Sequence, residues 1–178
     1  IPYVMSGGLG FYARHEIAAI LAFLKLLVRP DDDSSLATIL TGPQYGLSDE
    51  ELARLFRERR EERISLLAYL LALPEESLPE RVSAFRRLFV RLQAMSGSLG
   101  VLDLVYAILE QAGFFEHAAS QTDDLRRRRL ENNLTKFIGI VRAFEANGVF
   151  TTLRDFLAYH EKTLESGVDE DEAGLGLE

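Results

Sequence analysis

Apolar side chains recur at spacings of three and four residues along almost the whole of this 178-residue chain. Because 3.6 residues complete one turn of an α-helix, this spacing places them on one helical face. The pattern is clearest over residues 13–28, with Ile17, Ile20, Leu21 and Leu24 on one face. Pro30 then ends that helix. The sequence therefore predicts an all-α fold.

The same pattern predicts eight or nine helices in all. After the first helix they cover about residues 34–40, 48–60, 64–73, 79–95, 99–112, 123–145 and 152–164. The aspartates at 31–33 are suitable caps for the second helix. Ser48 followed by Glu51 is the pattern of a capping box at the start of the third. Gly97 and Gly113 are expected to end two of the later helices.

The first five residues are the exception to the helical pattern. Ile1-Pro2-Tyr3-Val4-Met5 predicts a short strand, followed by a glycine turn at Gly7 and Gly8. A lone strand is not stable in water, so its sheet is expected to lie outside this chain. Both ends look cut, and the acidic stretch after residue 165 is expected to be a flexible tail. We therefore expect a fragment of a larger protein.

Composition excludes several classes of site. The chain has no cysteine, which rules out disulfides and thiolate metal sites and suits a cytoplasmic location. Its longest apolar run, residues 17–28, is shorter than the roughly 20 residues that a membrane span needs. The net charge is −8, whereas a freestanding nucleic-acid binder usually carries a basic face. Any polyanion must therefore bind at a local site or with help from parts outside this chain.

Motifs for catalysis are incomplete. Gly8 to Ala13 fits the dinucleotide pattern G-x-G-x-x-A, but no βαβ unit follows, so a simple glycine turn is favoured. No P-loop is present, and neither His15 nor His160 has a second histidine at zinc-ligand spacing. All three histidines, including His117, are interpreted as surface or helix-face residues. The chain itself is predicted to have no catalytic residue, no cofactor and no metal.

Four consecutive arginines, residues 126–129, are the most basic feature of the chain. Consecutive helical residues point in different directions, so the four do not form one face. Asp123, Asp124 and Glu131 are placed to neutralise them in part. Ion pairing and solvation are therefore favoured over phosphate contact, which stays the alternative.

Several stretches resemble one protein family, the UvrD/Rep/PcrA-type superfamily 1 DNA helicases. The matching residues are Ile1-Pro2-Tyr3, Gly7-Gly8-Leu9, Phe11-Tyr12, Arg14, Glu16-Ile17, Pro30-Asp31-Asp32-Asp33, Pro43, Gly46 and, more loosely, residues 129–134 and 153–157. The form Gly46-Leu47-Ser48 is closer to the AddA/RecB-like relatives, which leaves the subfamily open.

The resemblance implies a layout and a parent activity. Residues 1–28 look like the end of the second RecA-like motor domain, residues 29–165 like the helical 2B insertion subdomain, and residues 166–178 like a tail. The parent is expected to be an ATP-dependent 3′-to-5′ DNA helicase of repair or recombination that binds ATP and Mg. Its expected partners are a DNA duplex–single-strand junction and the rest of the helicase chain. The alternative is a helical protein–protein interaction module without DNA binding.

The resemblance also implies DNA-binding residues. The turn Gly46-Leu47-Ser48 is the expected duplex contact, since a helix N-terminus offers backbone N–H groups to a phosphate. Arg54 and Arg57 are expected to add positive charge along the same side. The capping box competes for the same N–H groups, and the acidic residues at 49 and 50 repel phosphate. Tyr12 and Arg14, with Glu16, are expected at the motor-domain end near the DNA track; the alternative is that Phe11 and Tyr12 only staple the start of the helix.

Overall fold

The computed structural model describes residues 7–60, 62–148 and 152–166, and within them it contains ten α-helices. They are α1 Gly7–Tyr12, α2 His15–Val28, α3 Asp33–Thr41, α4 Asp49–Arg59, α5 Leu66–Ala72, α6 Glu80–Ser96, α7 Val101–Gln111, α8 Phe114–Ala119, α9 Asp124–Asn147 and α10 Leu153–Ser166. A 3-10 turn, Glu75–Ser77, precedes α6. The all-α prediction is confirmed. The predicted strand at residues 1–5 and the stretch after residue 166 lie outside the described residues.

Helix α2 lies at the centre of the bundle. It contacts α3, α6, α7, α9 and α10, and its side chains are buried on almost every face. A helix that is apolar all round is stable only inside a protein. Phe23 of α2 approaches Phe85 of α6 and Phe114 of α8, with ring centroids 6.2 and 6.5 Å away. These contacts join the first and middle thirds of the chain into one core.

Two short helices were not predicted from the sequence. The glycine turn expected at Gly7 and Gly8 is wrong, because α1 begins at Gly7. Burial of Phe11 and Tyr12 at its end offsets the poor helix propensity of glycine. Helix α8 follows a left-handed Gly113, at φ +76°, and is fixed by buried Phe114. Six residues are too few to show a helical period, which explains why eight or nine helices were expected.

The predicted helix starts are confirmed in their hydrogen bonds. Asp32 caps α3 by accepting from the backbone of Ser35 at 3.1 Å. At α4, the amide of Ser48 donates to Glu51 at 2.8 Å, and the Ser48 hydroxyl accepts from the amide of Glu51 at 3.2 Å. Each such cap contributes about 1 kcal/mol to stability.

The long helix α9 and the last helix α10 close the bundle. Leu134, Phe137 and Val141 of α9 are buried, as its apolar stripe predicted. Phe156 of α10 packs edge-on against Phe137 with ring centroids 6.3 Å apart. In the part of the chain that is described, no helix combines the length and the apolar character that crossing a membrane requires.

Candidate nucleic-acid interface

The turn between α3 and α4 is a tight, exposed loop built around Gly46. Gly46 adopts φ +59°, a left-handed conformation that glycine accepts without strain. Its amide donates to the carbonyl of Gly42 at 2.7 Å, and the amide of Leu47 donates to that of Leu40 at 2.9 Å. Leu47 is 6% exposed and anchors the turn in the core. The backbone of Gly46 is therefore presented to solvent on a rigid support.

The amides of this turn already have partners inside the chain. Those of Gly46 and Leu47 donate to carbonyls, and those of Ser48 and Glu51 form the capping box. The hydrogen bond from the Ser48 amide is the main reason why the pKa of Glu51 is lowered. A phosphate at this turn must therefore be held by side chains or must displace these bonds.

Arg81 of α6 fastens the turn from the side. One guanidinium nitrogen donates to the carbonyls of Gly46 at 2.7 Å and Tyr45 at 3.3 Å. The other donates to Glu51 at 2.6 Å. Tyr45 packs edge-on against Phe85, 5.6 Å between centroids, and burial raises its pKa to about 12. Sequence reasoning missed Arg81, since a contact across 35 positions leaves no local signal.

The two arginines predicted to serve this turn are placed differently. Arg54 shares a groove of about 180 Å³ with Leu47 and Glu51, whereas Arg57 does not line that groove. Both side chains are exposed on α4. The structure thus brings Arg54 beside the turn and leaves Arg57 one helical turn further along.

The second predicted group lies at the turn between α1 and α2. Arg14 is exposed and donates to the side-chain oxygen of Asn133 in α9. The Asn133 amide group in turn donates to Glu16 at 2.5 Å. Tyr12 is 8% exposed, and its ring packs edge-on against His160 with centroids 4.4 Å apart. The exposed Arg14 side chain can therefore contact a ligand, whereas the ring of Tyr12 is buried against His160.

A cleft of about 720 Å³ opens beside Arg14, between the start of α2 and the start of α9. Arg126 and Arg129 line it together with Arg14, and we name it the basic cleft after these three residues. Residues three apart on a helix share a face, which the interpretation of four divergent arginines overlooked. Arg127 faces elsewhere and pairs with Asp124 at 2.7 Å, as the neutralisation hypothesis proposed.

The pKa of His160 departs clearly from the ordinary value of a histidine. It is 3% exposed on the inner face of α10, so the surface alternative is wrong for this residue. Its Nδ1 atom has no hydrogen-bond partner among the described residues. Burial lowers its pKa to about 4, and nearby Lys25 acts in the same direction. Within the described ranges, no cluster of His, Asp or Glu suited to a metal ion is present.

Comparison with known proteins identifies the family. The family model of the UvrD-like helicase C-terminal domain matches residues 1–173. The chain belongs to this family. An ATP-dependent DNA helicase PcrA of Leuconostoc citreum is 28% identical over 153 residues, which cover 82% of this chain and 20% of the relative. An ATP-dependent DNA helicase UvrD1 of Mycobacterium tuberculosis is 29% identical over 155 residues, covering 83% and 20%.

A third relative extends the similarity along the UvrD-like domain. This relative, from Bacillus velezensis, is one component of an ATP-dependent helicase/nuclease. It is 27% identical over 172 residues, covering 95% of this chain and 14% of the relative. The chain spans about a fifth or less of the length of these curated relatives. The resemblance seen in the opening motif is thereby confirmed at the level of the family.

The UvrD-like domain thus carries two separate groups of the predicted residues. Gly46, Leu47, Ser48 and Arg54 lie together at the α3–α4 turn. Tyr12 and Arg14 lie at the α1–α2 turn, beside α9 and α10. Pro43 links the two regions, because it lines the basic cleft and precedes Gly46 by three residues in the same loop.

Proposed function

We propose that this chain is the accessory, duplex-contacting segment of an ATP-dependent 3′-to-5′ DNA helicase that acts in repair or recombination. The parent binds ATP and Mg outside this chain, which has no P-loop. In this proposal residues 1–28 complete the second motor domain, residues 29–165 form the 2B-like subdomain, and the protein works in the cytoplasm. Family membership and the helicase names of the relatives support the proposal.

The observation that carries the duplex contact is the exposed position of Gly46 in a turn held by internal hydrogen bonds. A position without a Cβ lets a phosphate backbone approach closely, and Arg81 donates a hydrogen bond to the carbonyl of Gly46. Since the turn's own amides are engaged, the positive charge comes from the exposed Arg54 and Arg57. Tyr12 supports the Arg14 turn in this proposal, and Arg14 makes the contact with DNA at the motor-domain end.

The test is binding of a labelled DNA duplex to the chain and its variants. Gly46→Glu is expected to weaken duplex binding at least tenfold, because it places a carboxylate against phosphate. Gly46→Ala is the matched control, since it carries the same backbone strain without charge and its Cβ meets only Arg81, at 4.0 Å. Equal loss in both variants would mean that strain, not phosphate repulsion, causes the effect.

Salt dependence tests the arginines separately. Arg54→Ala with Arg57→Ala is expected to reduce the slope of log K against log salt by up to about 1.8, the value for two duplex phosphates. Arg128→Ala with Arg154→Ala removes the same charge from exposed positions away from the turn. An equal change in both pairs, or in neither, contradicts a local contact at the turn.

A protein-interaction module without DNA binding is the second candidate. The net charge of −8 and the exposed apolar side chains of Val90 and Leu125 favour it. Absence of measurable duplex binding by the unaltered chain would support this candidate instead.

A further inference from the structure

A cavity of about 320 Å³ lies between α2, α3 and α10, beside the α1–α2 turn. We name it the Lys25 cavity after the lysine in its wall. Much of the wall is apolar and consists of Ala18, Leu21 and Ala22 of α2 with Leu164 of α10. The two alanines leave space that larger side chains would fill. A cavity of this size, apolar with a few polar groups, is typical of a small-molecule site.

Lys25 contributes a half-buried positive charge to this wall. Among the described residues, its ammonium group forms no ion pair, and none of those that line the cavity is acidic. The nearby carboxylates have other partners, since Asp32 caps α3 and Glu161 pairs with Arg29 at 3.6 Å. A partly buried charge without a counter-charge is unfavourable. The Lys25 cavity therefore attracts an external anion.

His160 gives the same cavity a buried polar group that lacks a partner. The residue lines the cavity, only 3% of its surface is exposed, and its Nδ1 atom has no hydrogen-bond partner among the described residues. A ligand that bonds to the imidazole recovers the free energy that an unsatisfied buried atom costs. The hydroxyl of Ser35 is less available, because it already donates to Asp32 at 2.7 Å. Lys25 and His160 are therefore the groups that would orient a ligand.

We propose that the Lys25 cavity binds a small carboxylate with a compact apolar body. The ammonium group of Lys25 holds the carboxylate by a charge-assisted hydrogen bond. The apolar body packs against Ala18, Leu21 and Ala22. Inorganic phosphate would leave this apolar wall uncovered, and a neutral apolar molecule would leave Lys25 without a counter-charge. The site shares no residue with the Gly46 turn or the basic cleft, so it does not depend on the proposed function.

The experiment follows the histidine ring resonances by NMR while sodium benzoate is added at constant ionic strength. Benzoate is expected to shift the His160 resonance until it saturates, and His160→Gln assigns that resonance. A shift of His15 or His117, which line the basic cleft, would report binding there instead. Hexanoate is the second probe, with an aliphatic body. Benzyl alcohol has the ring without the charge and is expected to bind at least about tenfold more weakly than benzoate.

Three variants test the two parts of the site. Lys25→Met removes the charge and is expected to weaken benzoate binding at least about tenfold, the value of one hydrogen bond to a charged group. Lys162→Met is the matched control, with the same charge change at an exposed position of α10 outside the cavity. It is expected to leave the affinity unchanged. Ala18→Leu fills the cavity and is expected to abolish binding while the helical circular dichroism spectrum is kept.

Four results would overturn the inference. The first is the absence of a saturating His160 shift with both carboxylates. The second is benzyl alcohol that binds as tightly as benzoate, which would indicate an apolar cavity without an anion site. The others are equal weakening by the two lysine variants and unchanged binding in Ala18→Leu. Gly46→Glu is expected to leave benzoate binding unchanged, so this inference and the proposed function can fail separately.

Discussion

Acidification is expected to destabilise this chain through His160, which is buried in its neutral form. Burial lowers the pKa of His160 from 6.5 to about 4. His160 therefore becomes protonated near pH 6.5 in the unfolded chain, but only near pH 4 in the folded chain. The stability that depends on neutral His160 is fully present above pH 6.5 and is lost as the pH falls through this window.

The size of the effect follows from these two pKa values. At about pH 5, a site with a pKa of 6.5 in the unfolded state is protonated about 30-fold more than it is unprotonated, whereas the folded site stays mostly neutral. This difference corresponds to about 2 kcal/mol of unfolding free energy relative to neutral pH. For a chain of this size, that is a substantial part of a total stability of roughly 5–15 kcal/mol.

The assay is urea unfolding at about pH 7 and about pH 5, followed by circular dichroism. His160→Gln is expected to lower stability at both pH values, through the lost contact with Tyr12, and to remove about 2 kcal/mol of the pH dependence. His117→Gln, a change on α8, is expected to keep the full pH dependence. A His160→Gln variant that loses as much stability on acidification as the unaltered chain would refute the reasoning.

Two further substitutions test contacts that join distant segments. Asn133→Leu is expected to cost about 3 kcal/mol, since it removes two hydrogen bonds to charged partners and leaves them unpaired, and thermal unfolding would measure the loss. Gly100→Ala places a Cβ 2.9 Å from Glu145, which caps α7 through the amide of Leu102, and is expected to cost about 1 kcal/mol. Gly97→Ala has open space and is its control; an equal loss in both alanine variants contradicts the steric argument.

What the sequence predicts well is local. The periodicity of α2 and α9 and the caps at Asp32 and Ser48 depend on residues within a few positions of one another. Each signal can therefore be read from a short window. The helix boundaries deviate by one or two residues, which is the usual fraying of helix ends.

The features that the sequence did not predict depend on contacts between distant segments of the fold. Arg81 reaches the Gly46 turn across 35 positions, and Arg14 reaches Asn133 across 119. No short window contains both members of such a pair. The basic cleft was missed partly for the same reason, because Arg14 precedes α2 whereas Arg126 and Arg129 lie on α9. The burial of His160 likewise depends on the packing of α10 against the start of the chain, and no short window contains both segments.

The contact between Tyr12 and His160 brings two points 148 positions apart to within 4.4 Å. Arg29 and Glu161, 3.6 Å apart, form a second bridge between the same two stretches. A helical body whose first and last segments lie side by side can be inserted into another domain at one place on the surface of that domain, as tolerated domain insertions are.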